Sequence, residues 1–396
     1  MIKWYNNSQR ALLFGYKKYL EKDKKEEVLM ELKNDYEHCL TNLACSIQKY
    51  FNVENKHNSL SNIDNILKTY QPENVILFLF DGMGSRIIKR HLNNNDFFIK
   101  NQIDELTSVF PATTTAATTS VKTGLNPCEH LWLGWNCYLS NIDKTITLFL
   151  AKEKENGEDC QQFIEHYSEI EVESICQQVK NNGYLSWEVS NFGDIGYQSI
   201  DEMMDIVENL TKKQGKKFIY VYDTEPDTTM HKYGPDSLQA VELIRQRNEK
   251  VQQLCQRLTN SVVIVVADHG HREVEDIYLK DYPEIIDMLE RTTSIETRAC
   301  SFKIKQQYLD LFKEKFNQLF GKWFVLLSKE EVIQLNLFGT GKQHKMFLDA
   351  IGDYLAVAVD KYTLIYGDYP LHSTHAGYCD DEIYVPLIVY ESMKGE

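Results

Sequence analysis

The sequence of 396 residues lacks the long apolar runs that would place it in a membrane. No stretch approaches the roughly 20 consecutive apolar residues of a membrane-spanning helix. Residues 1–20 also lack the uninterrupted apolar core of a signal peptide. There is no excess of positive charge, since the formal net charge is −15. The sequence therefore predicts no membrane span and no stable binding to nucleic acid or to an acidic membrane surface, although a local cationic centre such as a bound metal stays compatible with it.

Nor does the sequence contain a cysteine framework. The nine cysteines are scattered, no two of them form a CxxC pair, and their number is odd. This pattern is typical of reduced thiols, so we expect a cytoplasmic protein. Internal repeats and low-complexity tracts are missing as well. The hydrophobic content of 43% is that of a globular protein, and the length suits one large or two smaller domains.

Apolar runs that end in acidic residues recur along the chain: NVILFLFDGMG, KKFIYVYDTEPD and SVVIVVADHGH. Each run is typical of a strand that is buried on both faces and carries an acid at its C-terminal end. Helical patterns such as SLQAVELIRQRNEKVQQLCQRL lie between them. The alternation predicts an α/β fold, with a parallel sheet and helices on both faces. Because ligands bind outside the carboxyl ends of parallel strands, we expect the acids to meet in one crevice.

The remaining segments divide around this core. The first of them, residues 1–70, is charged and helical in period, with Leu40, Leu43 and Ile47 at helical spacing. Residues 275–360 show a strand–helix–strand pattern without an acidic strand end. We therefore expect an N-terminal helical segment packing on the core (1–70), a catalytic core (71–274 and 361–396) and a small inserted α+β cap (275–360).

Six side chains that can bind metals stand at or near these strand ends and near the C-terminus: Asp81, Asp227, His231, Asp268, His269 and His375. Mixed nitrogen and oxygen donors suit zinc, and also manganese or iron. Two such ions about 4 Å apart form the clamp used for in-line displacement at phosphorus. Each residue alone also fits a structural role, because an Asp after a strand often caps a helix. Spacing alone leaves both interpretations open.

Residues 110–123, FPATTTAATTSVKT, concentrate threonines where a helix should start. Threonine is a mediocre helix former, because its branched Cβ loses rotamer freedom in a helix. Local conflicts of this kind are expected at functional sites. The structural alternative is a threonine-rich N-cap without chemistry. We expect the later threonines, Thr118 and Thr119, to pack on the sheet or to bond back to helix carbonyls.

Five tracts resemble, in order, the motifs of the type I phosphodiesterase/nucleotide pyrophosphatase family of the alkaline phosphatase superfamily: DGMG, FPATTTAATTSVKTGLNPCEH, YDTEPDTTMHKYGP, ADHGH and THAGY. The resemblance implies an alkaline-phosphatase-like parallel-sheet sandwich with helices on both faces and a small cap. It also implies two divalent metal ions, zinc or alternatively manganese. One ion would be held by Asp227, His231 and His375. The other would be held by Asp81, Thr114, Asp268 and His269.

The same resemblance implies that Thr114 is the nucleophile, at the N-terminus of a helix, and its place in the motif favours it over Thr113 and Thr115. Metal coordination would activate its hydroxyl, and the helix N-terminus would favour phosphate oxygens. The implied activity is hydrolysis of a phosphodiester or pyrophosphate bond in a small phosphorylated, nucleotide-type substrate through a covalent phosphothreonine. The alternatives are a phosphomonoesterase or phosphonate hydrolase of the same superfamily, or a noncatalytic binding module. The sequence does not indicate whether the protein is a monomer or an oligomer.

Two positions depart from the family pattern. Ala117 replaces an asparagine that helps to hold a phosphate oxygen in many members, and the backbone N–H of Thr115 or the side chain of Asn136 could substitute for it. Met230 replaces a glycine and is expected to narrow the pocket.

Several aromatic residues and histidines near the motifs admit two interpretations. The aromatic residues Trp132, Trp135 and Tyr138 either stack a base or belong to the core. His271 either contacts a metal ligand or lies on an exposed loop. His372 competes with His375 as a ligand, and His344 is expected at the surface of the cap.

Overall fold

The computed structural model describes residue 32 and residues 34–161 and 173–392. Most of the first half of the predicted N-terminal segment therefore lies outside the described residues. The strands are β1 (Asn74–Phe80), β2 (Gln102–Thr107), β3 (Asn136–Leu139), β4 (Lys144–Thr147), β5 (Lys152–Glu153), β6 (Leu185–Val189), β7 (Lys217–Asp223), β8 (Ser261–Val266), β9 (Arg272–Glu273), β10 (Glu275–Tyr278), β11 (Ser294–Ile295), β12 (Ala299–Phe302), β13 (Phe324–Ser328), β14 (Tyr354–Ala358), β15 (Tyr362–Ile365), β16 (Ser373–Thr374) and β17 (Tyr384–Ser392). The α-helices are α1 (Leu40–Tyr50), α2 (Ser61–Tyr70), α3 (Ser85–His91), α4 (Phe97–Asn101), α5 (Thr114–Thr123), α6 (Pro127–His130), α7 (Ile175–Asn181), α8 (Ile200–Thr211), α9 (Asp227–Tyr233), α10 (Leu238–Cys255), α11 (Pro283–Ile286), α12 (Leu309–Phe320), α13 (Lys329–Gln334), α14 (Phe347–Ala350) and α15 (Asp380–Ile383).

The central sheet has six strands in the order β2-β17-β8-β1-β7-β6. Strands β8, β1, β7 and β6 run parallel to one another, and β17 runs antiparallel to its neighbours β8 and β2. Every residue of β1 and β8 is buried. Since successive side chains of a strand point to opposite faces, this burial means that both faces of the sheet are covered. The predicted α/β fold with a mostly parallel sheet is confirmed.

Two groups of helices surround this sheet. Helices α1, α5 and α7 pack against one another, and α10 packs against α3, α4 and α8. Helix α1 forms where the apolar spacing predicts a helix, and its residues Leu40, Leu43 and Ile47 are fully buried. Its contact with α5 supports the threonine-rich helix from behind.

A second sheet of seven strands, in the order β13-β14-β12-β11-β3-β4-β5, is antiparallel throughout. The predicted strand–helix–strand pattern is present as β12, α12 and β13, and Phe312, Phe316 and Phe320 of α12 are buried in the core beside this sheet. The sheet also includes β3, β4 and β5, which lie outside residues 275–360. The predicted division of the chain into domains stays a prediction.

The nine cysteines all lie among the described residues and are all free thiols. Among the described helices, none combines the length and the apolar composition of a membrane span.

Candidate active site

The ends of three parallel strands meet at one edge of the central sheet. Asp81 follows β1, Asp227 begins α9 after β7, and Asp268 follows β8. The backbone N–H of Asp227 donates to the carbonyl of Asp81 (3.1 Å), and Asp268 Oδ1 accepts from the N–H of Gly82 (3.0 Å). The structure therefore brings together the three predicted carboxylates.

Two glycines allow this close approach. A Cβ atom on Gly84 would lie 2.5 Å from the Cα atom of Gly270. A Cβ atom on Gly270 would lie 1.9 Å from the carbonyl oxygen of Asp381. Since real Cβ atoms do not come so close to backbone, the loops after β1 and β8 and the segment of Asp381 pack this closely because both residues lack a side chain.

The first group of metal-ligand atoms, which we call the Asp227 cluster, comprises Asp227, His231 and His375. One ligand atom from each residue lies within 4.8 Å of the others. His231 stands one helical turn after Asp227 on α9, with Nε2 3.4 Å from Asp227 Oδ2. His375 Nε2 lies 3.9 Å from Asp227 Oδ1. This set matches the first predicted metal site.

The second group, the Asp81 cluster, comprises Asp81, Asp227 and His269, again within 4.8 Å. The predicted site has Asp268 in place of Asp227. In the structure Asp268 Oδ1 is engaged by backbone N–H groups, and its Oδ2 lies 3.5 Å from His269 Nε2. Asp227 belongs to both clusters, and the rings of His269 and His375 stack with centroids 3.7 Å apart. The two clusters are therefore neighbours that share a carboxylate.

Thr114 stands at the second cluster. Its hydroxyl lies 3.1 Å from His269 Nε2 and 3.4 Å from Asp81 Oδ1. Thr113 is the N-cap of α5, and the first helical hydrogen bond runs from Ala117 N–H to Thr113 O (2.9 Å). The N–H groups of Thr114, Thr115 and Ala116 precede that bond, so the helix start offers amide donors beside the Thr114 hydroxyl.

Two of the later threonines bond back to their own helix, as the sequence predicts for Thr118. Thr118 donates to the carbonyl of Thr114 (2.6 Å), and Thr123 donates to that of Thr119 (2.7 Å). Their hydroxyls are thereby satisfied inside the helix. Thr114 differs from them because its hydroxyl faces an imidazole and a carboxylate.

The three histidines of the clusters share one hydrogen-bonding arrangement. A neutral imidazole has one N–H donor and one acceptor nitrogen. In each ring Nδ1 faces a backbone carbonyl oxygen, which can only accept, so Nδ1 carries the proton. The carbonyl partners are Ser373 for His231 (2.9 Å), Ala112 for His375 (3.1 Å) and Gly270 for His269 (2.8 Å). The remaining nitrogen, Nε2, points at a carboxylate, which is the orientation of metal-ligating histidines.

Burial shapes the protonation of these groups. Burial, together with repulsion from Asp227, raises the pKa of Asp81, and burial with repulsion from Asp81 raises that of Asp268. Burial opposes charge on His269, but Asp268 and Asp81 raise its pKa to about 10. A proton on His269 Nε2 therefore competes with a metal ion for the same carboxylates. The concentration of buried negative charge favours a cation at this place.

The arrangement behind His375 depends on a buried ion pair. Arg298 and Glu382 are both 0% exposed, and two guanidinium nitrogens of Arg298 donate to the two carboxylate oxygens of Glu382 at 2.6 and 2.7 Å. Glu382 also accepts from the N–H of Gly377 (2.7 Å), two residues after His375. The pair thus fixes the His375 loop against the beginning of β12, which belongs to the second sheet.

Most of the ambiguous histidines are resolved by burial. His271 is 1% exposed and its Nε2 lies 3.3 Å from Asp227 Oδ1, so the exposed-loop interpretation is wrong. His372 is exposed, whereas His375 belongs to the Asp227 cluster. His344 N–H donates to the carbonyl of Cys128 (2.8 Å), beside the second sheet.

The structure also shows the burial and contacts of the aromatic residues and of the two positions that depart from the family pattern. Trp135 is 40% exposed and is no core residue, while the Tyr138 hydroxyl donates to Asp143 (2.7 Å). Ala117 is fully buried within α5. Met230 is fully buried in the main core, and its methyl group lies 2.8 Å from where a Cβ on Gly82 would be. It packs beneath the loop of Asp81.

Three residues of the site escape the sequence analysis. Tyr222, the penultimate residue of β7, donates to Asp81 Oδ2 (2.5 Å). The alternation of side chains along the strand does not single out this position. Ser373 lies two residues before His375 in the LHSTHAGY tract. Glu296 accepts from the hydroxyl of Thr113 (2.7 Å) and from the N–H of Trp135 (2.6 Å). It has no local sequence signal, because it reaches the start of α5 from the second sheet.

Comparison with known proteins gives a family match. The profile of the type I phosphodiesterase / nucleotide pyrophosphatase family matches residues 179–377, about half of the chain. No curated protein sequence gives a significant match.

Solved structures share the fold. Murine ectonucleotide pyrophosphatase / phosphodiesterase 5 superimposes with a TM-score of 0.61 at 18% identity, covering 81% of this chain and 90% of that chain. An inactive threonine-to-alanine variant of the murine protein, in complex with AMP, gives 0.61 at 17% identity with the same coverage. The human protein gives 0.62 at 17% identity, also over 81% of this chain and 90% of that chain. Taken with the profile match, these findings show that the chain belongs to the type I phosphodiesterase / nucleotide pyrophosphatase family, a family of hydrolases.

Proposed function

We propose that the protein hydrolyses phosphodiester or pyrophosphate bonds with Thr114 as nucleophile and two divalent metal ions. The observation that carries the proposal is the orientation of His231, His269 and His375. In each ring Nδ1 is hydrogen-bonded to a backbone carbonyl oxygen, and Nε2 faces a buried carboxylate. This arrangement lies beside a hydroxyl at the start of a helix.

The donor set fits two ions. Asp227, His231 and His375 would hold one of them, and Asp81, Thr114, Asp268 and His269 would hold the other. Asp227 belongs to both clusters of ligand atoms, so its carboxylate would also serve the second ion. Asp268 Oδ2 is buried and has no hydrogen-bond partner among the described residues, which is expected for a carboxylate oxygen that binds a cation. Imidazole and carboxylate donors suit zinc, with manganese as the alternative. Bound there, the ions would lower the pKa of the Thr114 hydroxyl and offset charge on the phosphoryl oxygens.

The proposed reaction has two steps. Thr114 Oγ1 attacks phosphorus while the bond to the leaving oxygen breaks, which gives a phosphothreonine ester and the first product. Water then cleaves the ester and restores the hydroxyl. The N–H groups at the start of α5, including that of Thr115, would hold phosphoryl oxygens in place of the asparagine that Ala117 replaces.

A nucleotide-type substrate is supported by the family and by the AMP complex of the murine relative. A diester is favoured over a monoester by Glu296. Its carboxylate accepts hydrogen bonds from the hydroxyl of the N-cap residue Thr113 and from the backbone N–H of Trp135, two donors that favour the ionised form. A negative charge next to the phosphate pocket disfavours the doubly charged monoester more than the singly charged diester.

Replacing Glu296 with glutamine is expected to raise the ratio of monoester to diester kcat/KM by about tenfold. Tenfold corresponds to about 1.4 kcal/mol, which is less than the roughly 4 kcal/mol between unit charges 4 Å apart at an effective dielectric of about 20. The ratio is measured with nitrophenyl phosphate and bis(nitrophenyl) phosphate. Glu290→Gln, which neutralises an exposed carboxylate of the same segment, is the control. An unchanged ratio in Glu296→Gln would show that the carboxylate plays no part in this selectivity.

The proposed function as a whole is tested by metal analysis and a substrate panel. We expect about two zinc or manganese ions per chain, loss of diesterase activity with a chelator, and recovery when either metal is restored. Nucleotide diesters and pyrophosphates should be cleaved faster than monoesters or phosphonates. A chain that binds no metal and gains no thermal stability from zinc or manganese would instead be a noncatalytic binding module.

A further inference from the structure

We propose that His271 is a positioning residue that holds the shared carboxylate of Asp227 for metal binding, with its own ring oriented by the hydroxyl of Ser373. The inference rests on the proposed two-metal function. It concerns a residue that belongs to neither cluster of ligand atoms.

His271 is enclosed between the two partners. The residue is 1% exposed, and Ser373 is fully buried. Its Nδ1 lies 2.5 Å from the hydroxyl oxygen of Ser373, and its Nε2 lies 3.3 Å from Asp227 Oδ1. In the described part of the chain neither Nε2 nor Asp227 Oδ1 meets a partner in normal hydrogen-bond geometry, and the two lie 3.3 Å apart. These two buried polar atoms therefore have each other as their available partner.

The ring orientation separates His271 from the ligand histidines. In His231, His269 and His375 a carbonyl oxygen fixes the proton on Nδ1 and leaves Nε2 free to bind a metal. The partner of His271 Nδ1 is a hydroxyl, which can donate its proton to the ring. Nε2 then carries the proton, within reach of the Asp227 carboxylate. His271 is thus arranged to hold a ligand, whereas the other three are arranged to be ligands.

The chain fixes this arrangement through a short two-stranded ribbon. Strand β9 begins at Arg272, directly after His271, and pairs antiparallel with β16, which contains Ser373. The carbonyl of Ser373 also accepts from His231 Nδ1 (2.9 Å). One residue therefore orients a metal ligand through its backbone and the positioning histidine through its side chain.

The orientation of the Asp227 carboxylate matters for both clusters of ligand atoms. Its carboxylate belongs to both the Asp227 cluster and the Asp81 cluster. A free carboxylate can rotate, so a donor that fixes Oδ1 limits the orientations in which the group can serve two ions. Loss of the donor should weaken metal binding without removing any ligand.

The test is zinc affinity, measured on the full chain by competition with a chromophoric chelator and without substrate. His271→Met, which keeps the volume and removes the donor, is expected to weaken zinc binding by roughly 10- to 100-fold, the range found for groups that support metal ligands. His271→Gln should recover much of the affinity, because its amide N–H can reach the carboxylate. His372→Gln alters the exposed neighbouring histidine and is expected to bind zinc like the unaltered chain.

A merely structural role would give a different pattern. If His271→Met binds zinc within about twofold of the unaltered chain, or if His271→Gln is no better than His271→Met, the inference is overturned. Ser373→Ala keeps the imidazole and removes the group that orients it, so an affinity loss between those of the unaltered chain and His271→Met is expected. This variant decides the matter if melting curves show that His271→Met does not fold. An unaltered chain that binds neither zinc nor manganese would overturn the two-metal proposal itself.

Discussion

Replacing Thr114 with alanine is expected to lower kcat/KM for a phosphodiester by at least about a thousandfold while metal binding largely survives. The hydroxyl is the group that lies 3.1 Å from His269 Nε2 and 3.4 Å from Asp81 Oδ1. Each power of ten corresponds to about 1.4 kcal/mol, so loss of a nucleophile far exceeds the effect of a small packing defect. The measurements are the rate on a nitrophenyl diester and the metal content of the same sample.

Thr123→Ala is the matched control. Thr123 belongs to the same helix and bonds back to a helix carbonyl, but it lies about 13 Å further along α5 by the helical rise. We expect its rate to fall by less than about tenfold. Single alanine variants at Thr113 and Thr115 check the register. If either of them is inactive while Thr114→Ala turns over normally, the nucleophile is misassigned, and if all three remain active, covalent catalysis by this run is wrong.

Replacing Asp227 with alanine is expected to remove metal from both clusters and to lower activity by more than about a thousandfold. The reason is that this carboxylate belongs to both groups of ligand atoms. His231→Ala removes a ligand from the Asp227 cluster alone. We therefore expect the first variant to lose close to two ions per chain and the second to lose about one.

Metal content per chain, determined by elemental analysis after gel filtration, distinguishes the two variants. Melting curves of both variants exclude simple unfolding as the cause. Equal metal losses in the two variants would contradict the shared role of Asp227, and retention of two ions by Asp227→Ala would show that the carboxylate is no ligand.

The part of the fold that the sequence predicts is the part that local pattern determines. Strands β1, β7 and β8 are continuous apolar runs because both of their faces are covered, and the acids follow where those runs end. The same rule places Asp81 and Asp268. The back-bonding of Thr118 to the carbonyl of Thr114 follows from helical spacing.

The second sheet is beyond that rule. Strands β3, β4 and β5 are short, and β11, the partner of β3, comes about 160 residues later in the chain and contributes a single pair between Ile295 and Asn136. Pairing over such a separation is decided by packing and leaves no periodic signal. Glu296 is the next residue after Ile295 in the chain. The φ of Ile295, 71°, is unusual for a β-branched residue.

For His271 the sequence leaves a contact with a metal ligand and an exposed loop both open, for a related reason. Its sequence neighbours in ADHGHREVED are mostly polar, a context typical of an exposed loop. Its burial comes from the pairing of β9 with β16, which joins segments about 100 residues apart. The site therefore combines residues that local pattern reveals with residues that only long-range pairing delivers.

The position of β17 has a consequence for how a nascent chain matures. This strand lies between β8 and β2 in the central sheet, and it comes late in the chain, shortly after His375. During synthesis from the N-terminus, β8 has no neighbour on that side and β2 has no place in the sheet until residues 384–392 have left the ribosome. An unpaired edge of this kind is prone to wrong pairing while it waits. Closure of the sheet and arrival of His375 belong to the same late step, so metal loading should follow translation of nearly the whole described chain.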